Sequence, residues 1–156
     1  MKKISLDLRP KKYYHLTQSN KLKSLIVALN PKGSGENRPC EEPNIFRICV
    51  APTISGCISA GVFYPTRDIR IYSTTIKAWT TFDVKDAKIT GEKWILESCY
   101  FKLEGTIPKK IIKEFYDGSN SMEQRERFLK ENKKILEKYK SVICKCRINK
   151  KFEYKI

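Results

Sequence analysis

Histidine is nearly absent from this chain: His15 is the only one in 156 residues. Chemistry that needs a second imidazole is thereby excluded, which removes His-pair phosphoesterases, His-rich zinc centres and His-relay nucleases. No apolar run approaches the length needed to span a bilayer, and the basic start MKKISLDLRPKK has no apolar segment behind it. The expectation is a cytoplasmic protein with neither membrane insertion nor secretion. There are only seven glycines, and no GxGxxG, P-loop, nucleophile elbow or HExxH occurs, so the common cofactor and hydrolase signatures are missing. Acidic residues are scarce as well, with 17 Asp and Glu against 32 Lys and Arg, a net charge of +15.

What is present fits one folded domain spanning 1–156, with 40% hydrophobic and 31% charged residues. The six cysteines (Cys40, Cys49, Cys57, Cys99, Cys144 and Cys146) read as reduced apolar filler, because CKC at 144–146 is not a CxxC and lacks a second pair. The charge is uneven. Residues 1–24 carry seven basic residues against one acid, residues 25–108 ten against nine, and residues 109–156 fifteen against seven. If the termini adjoin, two basic ends merge into one surface that attracts polyanions in a salt-dependent way. The ordinary alternative is a Lys-rich composition that only keeps the chain soluble.

Along the chain, YYHLT at 13–17 reads as a short strand, with Thr17 and Ser19 offering oxygens to cap a helix carried by Leu22, Leu25, Ile26 and Leu29. Residues 31–44 read as a long loop, FRICVAP as a buried strand, and TISGCISAG as a short helix capped by Thr53 and lined with small residues. DIRIYST alternates as a half-buried strand, and EKWILESCYFKLEG is the strongest strand signal. KKIIKEFYD predicts a short helix, and Ser121 with Gln124 a capping box for a longer one striped by Phe128, Leu129, Ile135, Leu136 and Tyr139. The end, SVICKCRINKKFEYKI, predicts a β-hairpin. Together these give an α+β fold: a small mixed or antiparallel sheet with flanking helices, its core at 12–107 and a basic helical and hairpin part at 108–156.

Three segments stand out: HLT at the end of the first strand, the strand-to-helix unit RICVAPTISGCISA, and GEKWILESCYF with Glu92 at its start. Their order resembles the ADP-ribosyltransferase-like fold, the superfamily of poly-ADP-ribose polymerases and RNA 2′-phosphotransferases, over roughly residues 12–107. The resemblance implies an NAD cofactor, Glu92 as the catalytic carboxylate, and His15, Thr17 and Ser55 as cofactor-binding residues. A carboxylate beside the ribose would stabilise positive charge developing there, and a neutral imidazole would hydrogen-bond a ribose hydroxyl. Two positions depart from the family pattern. Cys49 stands where a tyrosine is usual and Ala60 where an aromatic stacks on nicotinamide, leaving Tyr64 or Tyr72 to supply that ring.

The reading from the residues keeps a rival open. His15 also fits a satisfied structural role, Glu92 an exposed strand-start charge, and Glu97 and Glu104 surface charges. Cys49 fits a buried, inert thiol, and Trp79 and Trp94 fit the core. One expectation is therefore a transferase modifying nucleic acid or a nucleic-acid-bound protein. The other is a non-catalytic basic module that binds nucleic acid or an acidic protein partner, of the kind phage and mobile elements use against host machinery.

Overall fold

Short strands carry most of the architecture, and among the described residues none exceeds six residues. The computed structural model describes residues 5–6, 12–19, 21, 24–26, 46–80, 87–116, 121–143 and 155–156. In chain order the first elements are β1 (Ser5–Leu6), β2 (Tyr13–Thr17), β3 (Leu25–Ile26), β4 (Ile48–Val50), α1 (Ile54–Ala60), β5 (Ile69–Thr74) and β6 (Trp79–Thr80). They continue as α2 (Ala87–Thr90), β7 (Lys93–Ile95), β8 (Cys99–Tyr100), β9 (Lys102–Ile107), α3 (Lys109–Ile112), α4 (Met122–Lys138) and α5 (Lys140–Ile143). The fold is mixed α+β with small antiparallel sheets, ordered β1-β6-β7-β4, β2-β5-β9 and β3-β8.

The β2-β5-β9 sheet is covered on both faces. On one, Tyr14, Ile69, Ile71 and Ile107 meet Ile54 and Ile58 of α1, Ile111 and Ile112 of α3, Leu136 of α4 and Ile143 of α5. On the other, Tyr13 and Tyr72 meet Ile48, Val50, Ile95 and Phe101. Each fully buried isoleucine contributes roughly 1.5–3 kcal/mol of transfer free energy, so this sheet is the centre of the core. Its middle strand β5 is accordingly buried on both sides, where DIRIYST reads as half-buried. The polar members are accommodated: Tyr72 is buried, and the Ser73 hydroxyl donates to Glu104.

Two helices follow their sequence signals closely. Thr53 caps α1, its Oγ1 accepting from the Gly56 amide at 3.0 Å. Ser121 caps α4 in the same way from Gln124, at 3.1 Å. Gly56 is required in α1, because a Cβ there would stand 2.2 Å from the Thr90 carbonyl oxygen. Ser59, in the last turn, accepts from Asn132 Nδ2 at 2.9 Å, which ties α4 to α1 through a fully buried amide.

Other expectations are corrected. Leu25 and Ile26 are not helical but pair with Tyr100 and Cys99, because Ile26 packs on the second core cluster. Among the described residues Thr17 and Ser19 accordingly cap no helix; their side-chain oxygens accept from the Ser19 and Lys21 amides. The EKWILESCYFKLEG run breaks into β7, β8 and β9, and β7 and β9 belong to different sheets. Val142 and Ile143 lie in α5 and not in a hairpin, whose remaining residues 144–154 are outside the described residues, as is the loop at 31–44. Glu104 is not a surface charge. It is 2% exposed, and its Oε1 accepts from Ser73 and from Lys12 Nζ at 3.3 Å, which pairs the charge, while its buried Oε2 has no hydrogen-bond partner among the described residues.

Candidate functional site

Beyond its pairing with β5, strand β2 bridges to Ala51, the residue that follows β4. Tyr14 and Ala51 exchange both backbone hydrogen bonds, at 2.8 and 3.1 Å. Continued antiparallel register would set His15 opposite Val50, but the ladder stops there. The His15 side chain takes over: Nδ1 donates to the Cys49 carbonyl at 3.0 Å. A carbonyl only accepts, so Nδ1 carries the proton and Nε2 keeps its lone pair. Burial holds the His15 pKa below its ordinary value, more than the Cys49 carbonyl raises it. The imidazole is therefore neutral at physiological pH, with a tilted Phe101 ring at 5.9 Å.

The gap between the diverging strands is a cavity of about 200 Å³. Its wall includes His15 from β2, Cys49 from β4, Cys57 and Ala60 from α1, Phe63 from the following loop, and Glu92. Glu92 is aimed by a tight turn. Gly91 has φ +75°, a conformation that favours glycine, and a Cβ there would meet Pro52 Cδ at 2.9 Å. The Glu92 amide donates to Thr90 Oγ1 at 3.3 Å, and Trp94 Nε1 donates to Glu92 Oε1 at 3.2 Å. The Trp94 ring carries the Arg47 guanidinium 4.0 Å from its centroid on the strand beside it.

Cys49 joins the two functional candidates. Its carbonyl receives His15, and its thiol feels the Glu92 charge. The residue keeps solvent-exposed surface, which corrects the expectation of a buried cysteine. The surrounding walls and the Glu92 charge still push its thiol up to about 12, so it is protonated and a poor nucleophile. Burial pushes the Cys57 thiol, which donates to the Tyr14 carbonyl at 3.2 Å, to about 12 as well.

Comparison with protein-family models, curated proteins and solved structures finds no match for this chain. Its chemistry is therefore read from the cavity itself. Of the four site residues expected from sequence, His15 and Glu92 share the cavity wall, while Thr17 and Ser55 do not line it. Thr17 lies farther along β2 and its Oγ1 accepts from the Ser19 amide at 3.2 Å. Ser55 is fully buried, its hydroxyl donating to the Ile156 carbonyl and its amide reaching the same oxygen at 3.3 Å. Neither expected ring lies here, since Tyr72 is in the core and Tyr64 is in solvent. Phe63 is the aromatic on the wall, and the only sequence signal for it was its place three residues after Ala60.

The walls are mainly apolar, with one hydrogen-bond acceptor at His15 Nε2 and one carboxyl at Glu92. At about 200 Å³ the cavity is smaller than the roughly 300–1,000 Å³ typical of whole drug-sized ligands. Among the described residues, no group of three or more His, Cys, Asp or Glu is placed to hold a metal, and no helix is long and apolar enough to cross a membrane.

Proposed function

We propose that this cavity binds the nicotinamide-ribose end of NAD, and that the protein is a divergent ADP-ribosyltransferase acting on nucleic acid or a nucleic-acid-bound protein. The observation that carries this reading is the convergence of His15 and Glu92 on one cavity wall, which Cys49 also lines. The neutral His15 accepts a ribose hydroxyl at Nε2. Phe63 packs against the nicotinamide ring, in the role left vacant by Ala60. As the glycosidic bond to nicotinamide lengthens, positive charge develops on the ribose, and the Glu92 carboxylate stabilises it. Nicotinamide leaves with the bonding electrons, and a nucleophile of the acceptor takes its place on the ribose. Thr17 and Ser55 support the site from outside: Thr17 by turning the chain after β2, Ser55 by anchoring the start of α1.

The test is calorimetric titration of NAD into the wild-type protein and His15→Ala, with nicotinamide release measured on the same samples. Binding that disappears in His15→Ala, with release that disappears in Glu92→Gln, supports the assignment. Full release by Glu92→Gln overturns it. If NAD neither binds nor is cleaved by the wild type, the rival reading stands, a basic module without catalysis that the net charge of +15 favours.

A further inference from the structure

A second cavity, also of about 200 Å³, opens near the first and has the opposite character. It is walled by Gln18, just beyond β2, by Arg67 and Asp68 of the loop after α1, by Arg70 of β5 and by Lys109 of α3. Three cations face one carboxylate there. Asp68 is engaged as an acceptor, its Oδ1 taking the Lys109 amide at 2.8 Å. Arg70 donates to the Ser19 carbonyl, which leaves most of its guanidinium donors available. The heads of Arg67 and Lys109 make no ion pair among the described residues.

The loop that supplies Arg67 is clamped. Gln18 Nε2 donates to the carbonyls of Tyr64 and Arg67, at 2.7 and 2.9 Å, and Gln18 Oε1 accepts from the Tyr64 amide at 2.9 Å. A single amide side chain thereby fixes both ends of the Tyr64–Arg67 segment. Held this way, Tyr64 still leaves 66% of its surface in water. An exposed aromatic residue on the clamped loop that also supplies Arg67 to a polar, cation-lined hollow is the combination that single-stranded nucleic acid uses, with the base stacked on the ring and the phosphate among the cations. A duplex keeps its bases stacked within the helix and offers no free base face to Tyr64.

We propose that Arg67, Arg70 and Lys109 form a phosphate site for single-stranded nucleic acid, with Tyr64 as the stacking platform for an adjacent base. The site supplies an acceptor position for the transferase reading, but its occupancy needs no NAD. Its test is therefore run without the cofactor, and its failure is separable from failure of the first cavity.

The measurement is fluorescence anisotropy of a labelled 12-nucleotide single strand titrated with the full chain over a range of salt concentrations. Inorganic phosphate and a nucleoside monophosphate serve as competitors. Each phosphate contact contributes roughly 0.7 to the salt slope on a single strand, so Arg67→Ala/Lys109→Ala should bind much more weakly with a slope lower by about 1.4. Tyr64→Ala should weaken binding about tenfold with an unchanged slope. Lys130→Ala/Lys133→Ala removes equal charge from the exposed face of α4 and should lose far less. Wild-type binding by Arg67→Ala/Lys109→Ala, or equal loss in the α4 control, overturns the site. Competition by free phosphate or the monophosphate at the strand's own affinity, with no effect of Tyr64→Ala, makes the ligand a free phosphate and overturns the strand assignment.

Discussion

The two cavities lie close together along β2 and the loop after α1, yet they are made from different parts of the molecule. The first is cut into the core: its walls belong to β2, β4 and α1, and its polar groups are a neutral imidazole and one carboxyl. The second is assembled from cations on three elements: Arg67 on the loop held by Gln18, Arg70 on β5 and Lys109 on α3. The difference teaches that the apolar cavity cannot be altered without disturbing the packing that creates it. The cationic one can be stripped of charge while the fold stays intact.

The largest effect should come from the carboxyl. Glu92→Gln keeps an oxygen for Trp94 but removes the charge, and nicotinamide release should fall about 10²–10³-fold, as when a transition-state electrostatic partner is lost. Single-turnover assays with chromatographic detection of nicotinamide measure it. Next comes Gly56→Ala, whose new Cβ would press on the Thr90 carbonyl from 2.2 Å. It should cost about 2–3 kcal/mol in urea denaturation, because α1 and the turn before Glu92 must separate. An unchanged midpoint would show that this contact does not set the cavity.

A smaller effect belongs to pH. The folded-state pKa of His15 lies below its ordinary 6.5, so the unfolded chain binds the proton more readily. The resulting stability is complete above pH 6.5 and erodes as pH falls through the window below it. Melting temperatures across pH 5–8 should decline on the acid side in wild type, and less steeply in His15→Gln. Smallest of all, Arg67→Ala/Lys109→Ala should leave stability within about 0.5 kcal/mol, since both side chains are exposed. A larger loss would break the contrast between the two cavities.

Local signals were legible wherever one residue decided the outcome. Thr53 and Ser121 start their helices as their hydroxyls predict, and YYHLT is a strand with the expected bounds. Burial was harder to read, because it depends on what covers each face. Glu104 and Tyr72 read as polar, outward residues until the sheet is seen between two layers. Leu25 and Ile26 belong to a pattern at helical spacing whose other members, Leu22 and Leu29, lie outside the described residues, but so short a pattern does not outweigh pairing with Tyr100 and Cys99. For the site, the sequence named His15 and Glu92 but not Phe63, and it assigned Ser55 to a wall it does not form. Asn132, which fastens α4 to Ser59, carried no signal, since an amide in an apolar stripe reads as exposed.

The start of α1 has a consequence for how the chain is made. The Ile54 amide reaches the Lys155 carbonyl at 3.0 Å, and Ser55 reaches Ile156, 101 positions along the chain. A ribosome adding residues one at a time produces the helix early and its first-turn partners much later. Until residues 155 and 156 emerge, those amides are without these acceptors and Tyr14 Oη without the Lys155 amide that reaches it at 3.0 Å. One wall of the first cavity is thus completed by residues translated about a hundred positions after its helix, although every side chain that lines it was synthesised long before.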